Sequence, residues 1–168
     1  RRSHSAAARG SLLAMHRRKQ IAMTDAEVAA FLDEQRTLTC ATIGPSGWPH
    51  LAPLWFVVRD GQIWAWTYGK SQKVRNLERD PRATLQVEAG VDYSELRGVT
   101  FECDVVIHRD LDTVTGIGVE LAHRYTGGAG LAPGAEEMMR RQAAKRVGLQ
   151  FVERKRTSWD HRKLGGGY

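Results

Sequence analysis

Cysteine is scarce in this chain of 168 residues. Two thiols, Cys40 and Cys103, cannot staple a small secreted scaffold. Long apolar runs are missing as well. None approaches the roughly 18 residues of a membrane-spanning helix. The glycine-rich signatures Gly-x-x-x-x-Gly-Lys-Ser/Thr and Gly-x-Gly-x-x-Gly are absent at the strand-to-helix positions where they would cradle a nucleotide. No Gly-x-Ser-x-Gly elbow supports a hydrolase. Glu120-x-x-His123 has the spacing of a metal-ligand pair, but it occurs once, and such centres need two motifs and further carboxylates. His50, His108 and His161 share no metal spacing, so no metal is expected.

The chain is 42% hydrophobic and 26% charged, as an ordinary globular protein is. Its formal net charge of +6 is local. Residues 1–22 hold Arg1, Arg2, Arg9, Arg17, Arg18 and Lys19 and no acid, leaving 19 basic against 19 acidic residues elsewhere. The body is neutral, so five tryptophans lack the basic groove that nucleic acid would need. Residues 1–22 read as a solvated basic extension, although a transit peptide or a segment read through from upstream has the same composition. The domain proper is expected over 23–168. It opens at Thr24, which with Glu27 forms a capping box ahead of a helix over 25–35.

Beyond that helix the period changes to two. Strands are expected over 38–43, 50–59, 62–67, 84–88 and 97–108, with a sixth starting at 147. Asp60-Gly61 is a two-residue hairpin turn. Helices are expected over 72–79, over 110–125 despite Gly116 and Gly118, and from Pro133 to about 146. Gly127 to Gly130 reads as a flexible loop. The fold is mainly β with peripheral helices, its antiparallel strands closing into a small barrel.

The chemistry concentrates where the third strand meets the second helix. Gly69 and Ser71 form a turn and an N-cap. Lys70, Lys73 and Arg75 then crowd a helix end whose dipole favours acids. Free backbone N–H groups point at the same place, so the block reads as a phosphate or carboxylate site. In the second strand Pro53 cannot donate to a ladder, which marks an edge, a bulge or a ligand-facing position. Trp55 and Phe56 point to opposite faces, one toward a flat ligand and the other into the core.

These stretches resemble a known family. Pro49-His50 through Trp55-Phe56, Lys70-Ser71-x-Lys73-Val74-Arg75-Asn76-Leu77, Asp80-Pro81-Arg82 and Ser158-Trp159-Asp160-His161-Arg162 are similar to the pyridoxamine-phosphate-oxidase-like split barrels. The likeness is to their actinobacterial flavin/deazaflavin oxidoreductase branch and spans about 23–163. It implies a six-stranded antiparallel split barrel, a homodimer, and a cofactor in the groove between subunits. Lys70, Ser71, Lys73, Arg75 and Asn76 would hold the cofactor's phosphate or acidic tail. Pro53 and Trp55 would line its ring, and Trp159, His161 and Lys163 would close the pocket. The branch uses coenzyme F420 or FMN. FMN-using oxidases tend to carry Ser-Arg-Lys where this chain has Ser71-Gln72-Lys73, which favours coenzyme F420.

The implied activity is hydride transfer from reduced coenzyme F420 to a small electron-poor molecule such as an enone or quinone, in the cytoplasm. The alternatives are an FMN-dependent oxidoreductase and a non-catalytic carrier of a cofactor, haem or fatty acid. No catalytic residue is named. His161, Tyr68 and solvent are the candidate proton sources.

Overall fold

The computed structural model describes residues 18–127, 132 and 134–165. Most of the basic extension lies outside these residues, as do Gly128 to Gly130 of the expected loop and the helix start at Pro133. Within the extension 18–21 form a helical turn. Helix α1, Asp25–Glu34, begins as its capping box requires. The Glu27 N–H donates to Thr24 Oγ1 at 3.3 Å, and the Thr24 N–H donates to Glu27 Oε2 at 2.6 Å. Val28, Phe31 and Leu32 form its buried stripe.

Strands β1 (Thr37–Ile43), β2 (Pro49–Trp55), β3 (Val57–Arg59) and β4 (Gln62–Tyr68) precede helix α2 (Gln72–Arg79). Strands β5 (Arg82–Ala89) and β6 (Arg97–His108), helices α3 (Leu111–Tyr125) and α4 (Ala135–Ala143), and the long β7 (Arg146–Asp160) follow. Asp60 and Gly61, at φ 49° and 74°, form the expected hairpin turn.

The sheet order is β2-β1-β5-β6-β7-β4-β3, antiparallel throughout. Its two outermost strands are joined by Phe56 alone. Laid flat, seven strands would hold their edges about 29 Å apart, at about 4.8 Å per step. One residue spans about 3.5 Å, so the sheet must curl until its edges meet. This barrel is the expected fold, with seven strands in place of six. The run expected as a single strand over 50–59 breaks at Phe56, whose side chain is fully buried and whose N–H donates to the Tyr125 hydroxyl at 3.2 Å. Before the break the run pairs with β1, and after it with β4.

The interior is filled by alternate residues. Leu38, Cys40 and Thr42 of β1 meet Leu85 and Val87 of β5, and Val99, Phe101 and Val105 of β6. Burial pushes both thiols, Cys40 and Cys103, up to about 12, so they stay protonated. Helix α3 covers the outside of β3 and β4. Its glycines make that possible, because a Cβ on Gly118 would lie 2.5 Å from the Trp66 ring. No helix among the described residues is long and apolar enough to cross a membrane.

Candidate functional site

Helix α2 is held in place by Asn76. This side chain is fully buried, donates to Thr42 Oγ1 at 3.0 Å, and accepts from Gln72 at 2.8 Å. Arg79 adds a 2.6 Å bond to the Ile43 carbonyl. With Val74 and Leu77 buried beneath it, the helix is clamped to the end of β1 and its N-terminus has a fixed direction. Asn76 was expected among the cofactor-binding residues. Here its amide is occupied in anchoring the helix that carries the others.

The N-terminus itself is short of partners. No acid lies in its first turn. Ser71 occupies the N-cap position without capping, and its Oγ is buried and unbonded. A buried hydroxyl without a partner is costly, and an anionic oxygen at the helix end would satisfy it. Lys70 and Arg75 are exposed and have no ion pair or side-chain hydrogen bond among the described residues. Most of the other described arginines hold a carboxylate, such as Arg59 with Glu120 at 2.7 Å. Lys73 folds inward, and its Nζ donates to Thr67 Oγ1 at 3.1 Å. Burial lowers its pKa, because the ammonium loses hydration and gains only a neutral hydroxyl.

The basic surface continues onto residues that the sequence reading did not select. Tyr68 pairs with Arg146 across the β4–β7 ladder, and the Gly69 N–H donates to the Lys145 carbonyl at 3.0 Å. The Arg146 guanidinium lies over the Tyr68 ring at 4.3 Å and the Trp66 ring at 4.5 Å. Tyr68, Arg141, Lys145 and Arg146 line a hollow of about 330 Å³. The side chains of Arg141 and Lys145 have no carboxylate partner among the described residues. Their one sequence signal was a basic cluster at the junction of α4 and β7.

The apolar half of the expected site lies on β2. Leu51, Pro53 and Trp55 alternate on its exposed face, while Phe56 turns into the core. Trp55 stacks on Tyr125, with ring centroids 4.2 Å apart. Thr42 links the two halves, since its hydroxyl accepts from Asn76 and lies 3.5 Å from the His50 carbonyl at the start of β2. The structure thus gathers Lys70, Ser71, Lys73 and Arg75 at one helix end, and Pro53 and Trp55 on the neighbouring edge strand.

Trp159, His161 and Lys163 do not join them within one chain. Trp159 stands at the far end of β7 from Arg146, roughly 40 Å along the strand at about 3.3 Å per residue. It packs on Gly98, its ladder partner. His161 Nδ1 lies 2.9 Å from the Tyr93 carbonyl, and Lys163 donates to Glu27 at 2.7 Å and to the Ala22 carbonyl at 2.8 Å. Among the described residues no cluster of three His, Cys, Asp or Glu side chains could hold a metal.

Residues 24–159 match the family model of pyridoxamine 5'-phosphate oxidase. The chain belongs to the pyridoxamine 5'-phosphate oxidase family. The crystal structure of the conserved hypothetical protein Rv2991 from Mycobacterium tuberculosis is 44% identical, with a TM-score of 0.83 over 90% of this chain and 94% of that one. An F420 reductase shares the fold at 21% identity and a TM-score of 0.57, over 76% of this chain and 94% of that one. HutZ, the haem storage protein of Vibrio cholerae, shares it at 16% identity and a TM-score of 0.62, over 80% and 92%. No curated protein matches the sequence. Members of the pyridoxamine 5'-phosphate oxidase family include oxidoreductases, and the barrel and helix described above are the frame on which this member carries its own set of cations.

Proposed function

We propose that this protein is a coenzyme F420-dependent reductase that passes a hydride from the reduced deazaflavin to an electron-poor organic molecule of the enone or quinone type. The supporting observation is the α2 N-terminus, where a buried, unbonded Ser71 hydroxyl lies among Lys70, Lys73 and Arg75, none of which holds a carboxylate among the described residues. Such a set fits an anion. The cations spread from Arg75 to Arg141, Lys145 and Arg146, which suits a phosphodiester followed by an acidic tail better than one compact terminal phosphate. The deazaflavin supplies the hydride.

The residues of this chain bind and orient. Ser71 and the free N–H groups of α2 receive the phosphate, and Lys70, Lys73 and Arg75 neutralise it. Pro53 and Trp55 offer the flat apolar surface against which a ring rests. Tyr68, exposed at the same turn, offers a phenolic proton beside Arg146. Lys163 and His161 reach this groove only from a second copy of the chain.

A titration of the purified protein with coenzyme F420, FMN and haem tests the proposal. The expected result is saturable quenching of F420 fluorescence, binding tighter than that of FMN, and reoxidation of the reduced cofactor on adding an enone or quinone. Tighter binding of FMN would overturn the choice of cofactor. Tight binding without turnover would make the protein a carrier.

A further inference from the structure

The cations at the junction of α4 and β7 exceed what the fold requires. The last turn of a helix carries about half a negative charge, which one cation balances. Arg146 serves that end already, since its Nη1 donates to the Gln142 carbonyl at 3.0 Å. Arg141 and Lys145 stand beside it, exposed, and their side chains bond neither carboxylate nor carbonyl among the described residues. The acids of α4, Glu136 and Glu137, lie in its first turn and form no ion pair with any of the three. Arg140 of the same helix is matched instead, by Asp112 at 2.7 Å.

Arg146 differs from its two neighbours in being held. Its guanidinium rests on the Tyr68 ring at 4.3 Å and on the Trp66 ring at 4.5 Å. Trp66 is fixed in turn, because α3 packs on it at Gly118. A guanidinium held by ring faces keeps its in-plane N–H groups for other partners. One of these serves Gln142, and the rest of the fork has no partner among the described residues. A planar fork matches a carboxylate through two parallel hydrogen bonds, which an ammonium cannot do.

The hollow of about 330 Å³ that these side chains line falls in the range of small-molecule sites, about 300–1,000 Å³. Met138 and the Tyr68 ring, both exposed, add an apolar wall. Its charges stand on three separate side chains, which suits several spaced carboxylates better than one compact anion. We propose that the hollow is a carboxylate-recognising site for a short acidic chain, with Arg146 as its specificity-determining residue. This deepens the function proposed above and rests on it only for the source of the carboxylates, which is the cofactor's own tail or a free oligocarboxylate.

Calorimetric titration of the full-length protein with triglutamate, in the absence of any deazaflavin, tests the site. Triglutamate should bind saturably and triglutamine should not. Arg146→Lys keeps the charge but loses the fork and its rest on the rings. With an unchanged circular dichroism spectrum, it should bind triglutamate about tenfold more weakly or worse. Arg140→Ala, on the same helix but outside the hollow, should bind it as the parent does. Absence of saturable binding, or equal binding by the parent and Arg146→Lys, would overturn the site. Inorganic phosphate that displaces triglutamate at equal concentration would overturn the choice of carboxylates. Titration with coenzyme F420, its acidic tail intact or removed, then identifies the source. A tail that strengthens binding in the parent but not in Arg146→Lys occupies the hollow. A tail without effect, in a protein that binds triglutamate, leaves the site to a free oligocarboxylate. Triglutamate bound by a protein that takes up no F420 at all would end the proposed cofactor and uphold the site.

Discussion

A half-buried ammonium whose bonded partner is a neutral hydroxyl has lost hydration without gaining a counter-charge, and among the described residues Lys73 is in that state. Its neighbours at the α2 N-terminus are cations and helix N–H groups, which raise the potential further. An anionic ligand reverses this balance. Lys73→Ala should lower the affinity for coenzyme F420 by about tenfold to a hundredfold, as expected for a hydrogen bond to a charged group worth about 1.5–3 kcal/mol. The melting temperature of the ligand-free protein should stay level or rise.

The same side chain sets a pH dependence. With its pKa lowered in the folded state, the unfolded chain binds the additional proton in the window between the folded and unfolded values, so stability rises with pH there. Affinity for the anion falls through that window, below the value near 10.4 at which an exposed lysine titrates. A fluorescence titration repeated along a pH series should show this decline in the parent and a flatter profile in Lys73→Ala. Identical profiles would remove Lys73 from the anion site.

At the scale of elements, two contacts carry the closure of the barrel. Tyr125 accepts from the Phe56 N–H at the break between β2 and β3, donates to the Arg36 carbonyl, and stacks on Trp55. Tyr125→Phe keeps the ring but leaves a buried N–H unpaired, and should cost about 1–3 kcal/mol in a denaturant melt. Gly118 sits against Trp66 with no room for a methyl group. Gly118→Ala should cost about 1–3 kcal/mol through overpacking, despite alanine's better helix propensity. Adding Trp66→Phe should recover part of that loss, since the double variant relieves the same clash. An independent, additive effect would show that α3 does not rest on Trp66.

These elements also show what a sequence can disclose. The strands were legible because alternation is a local property, and α1 was legible because Thr24 and Glu27 lie three residues apart. The break at Phe56 was hidden, since the apolar pattern runs through it unaltered and only the distant Tyr125 reveals it. The cations of α2 stood out because they oppose a local electrostatic preference. The anchoring role of Asn76 depends on Thr42, and the addition of Arg146 depends on its pairing with Tyr68, both set by sheet order. That order follows from closing the barrel, which no local pattern encodes.

For the whole molecule, the outer face of β2 poses a question of association. Leu51 and Trp55 are 65% and 57% exposed on a strand with one ladder partner, and Trp48 at its start is 77% exposed. A contiguous apolar strip on an open sheet edge is normally covered in the working protein. A twofold dimer would cover it with its own copy, because one self-complementary patch serves both subunits. In such a dimer the ring surface proposed for Pro53 and Trp55 would lie at the seam, where the distant Trp159 to Lys163 segment of the other copy could approach it. Leu51→Arg places an unpaired charge in that seam and should shift the protein from dimer to monomer in sedimentation velocity at micromolar concentration. Affinity for coenzyme F420 should fall with it, although every cation of the α2 site is intact. Val106→Arg, an equally polar change at an exposed position of β6, should alter neither property. A Leu51→Arg monomer that binds the cofactor as tightly as the parent would show that each chain holds its cofactor alone.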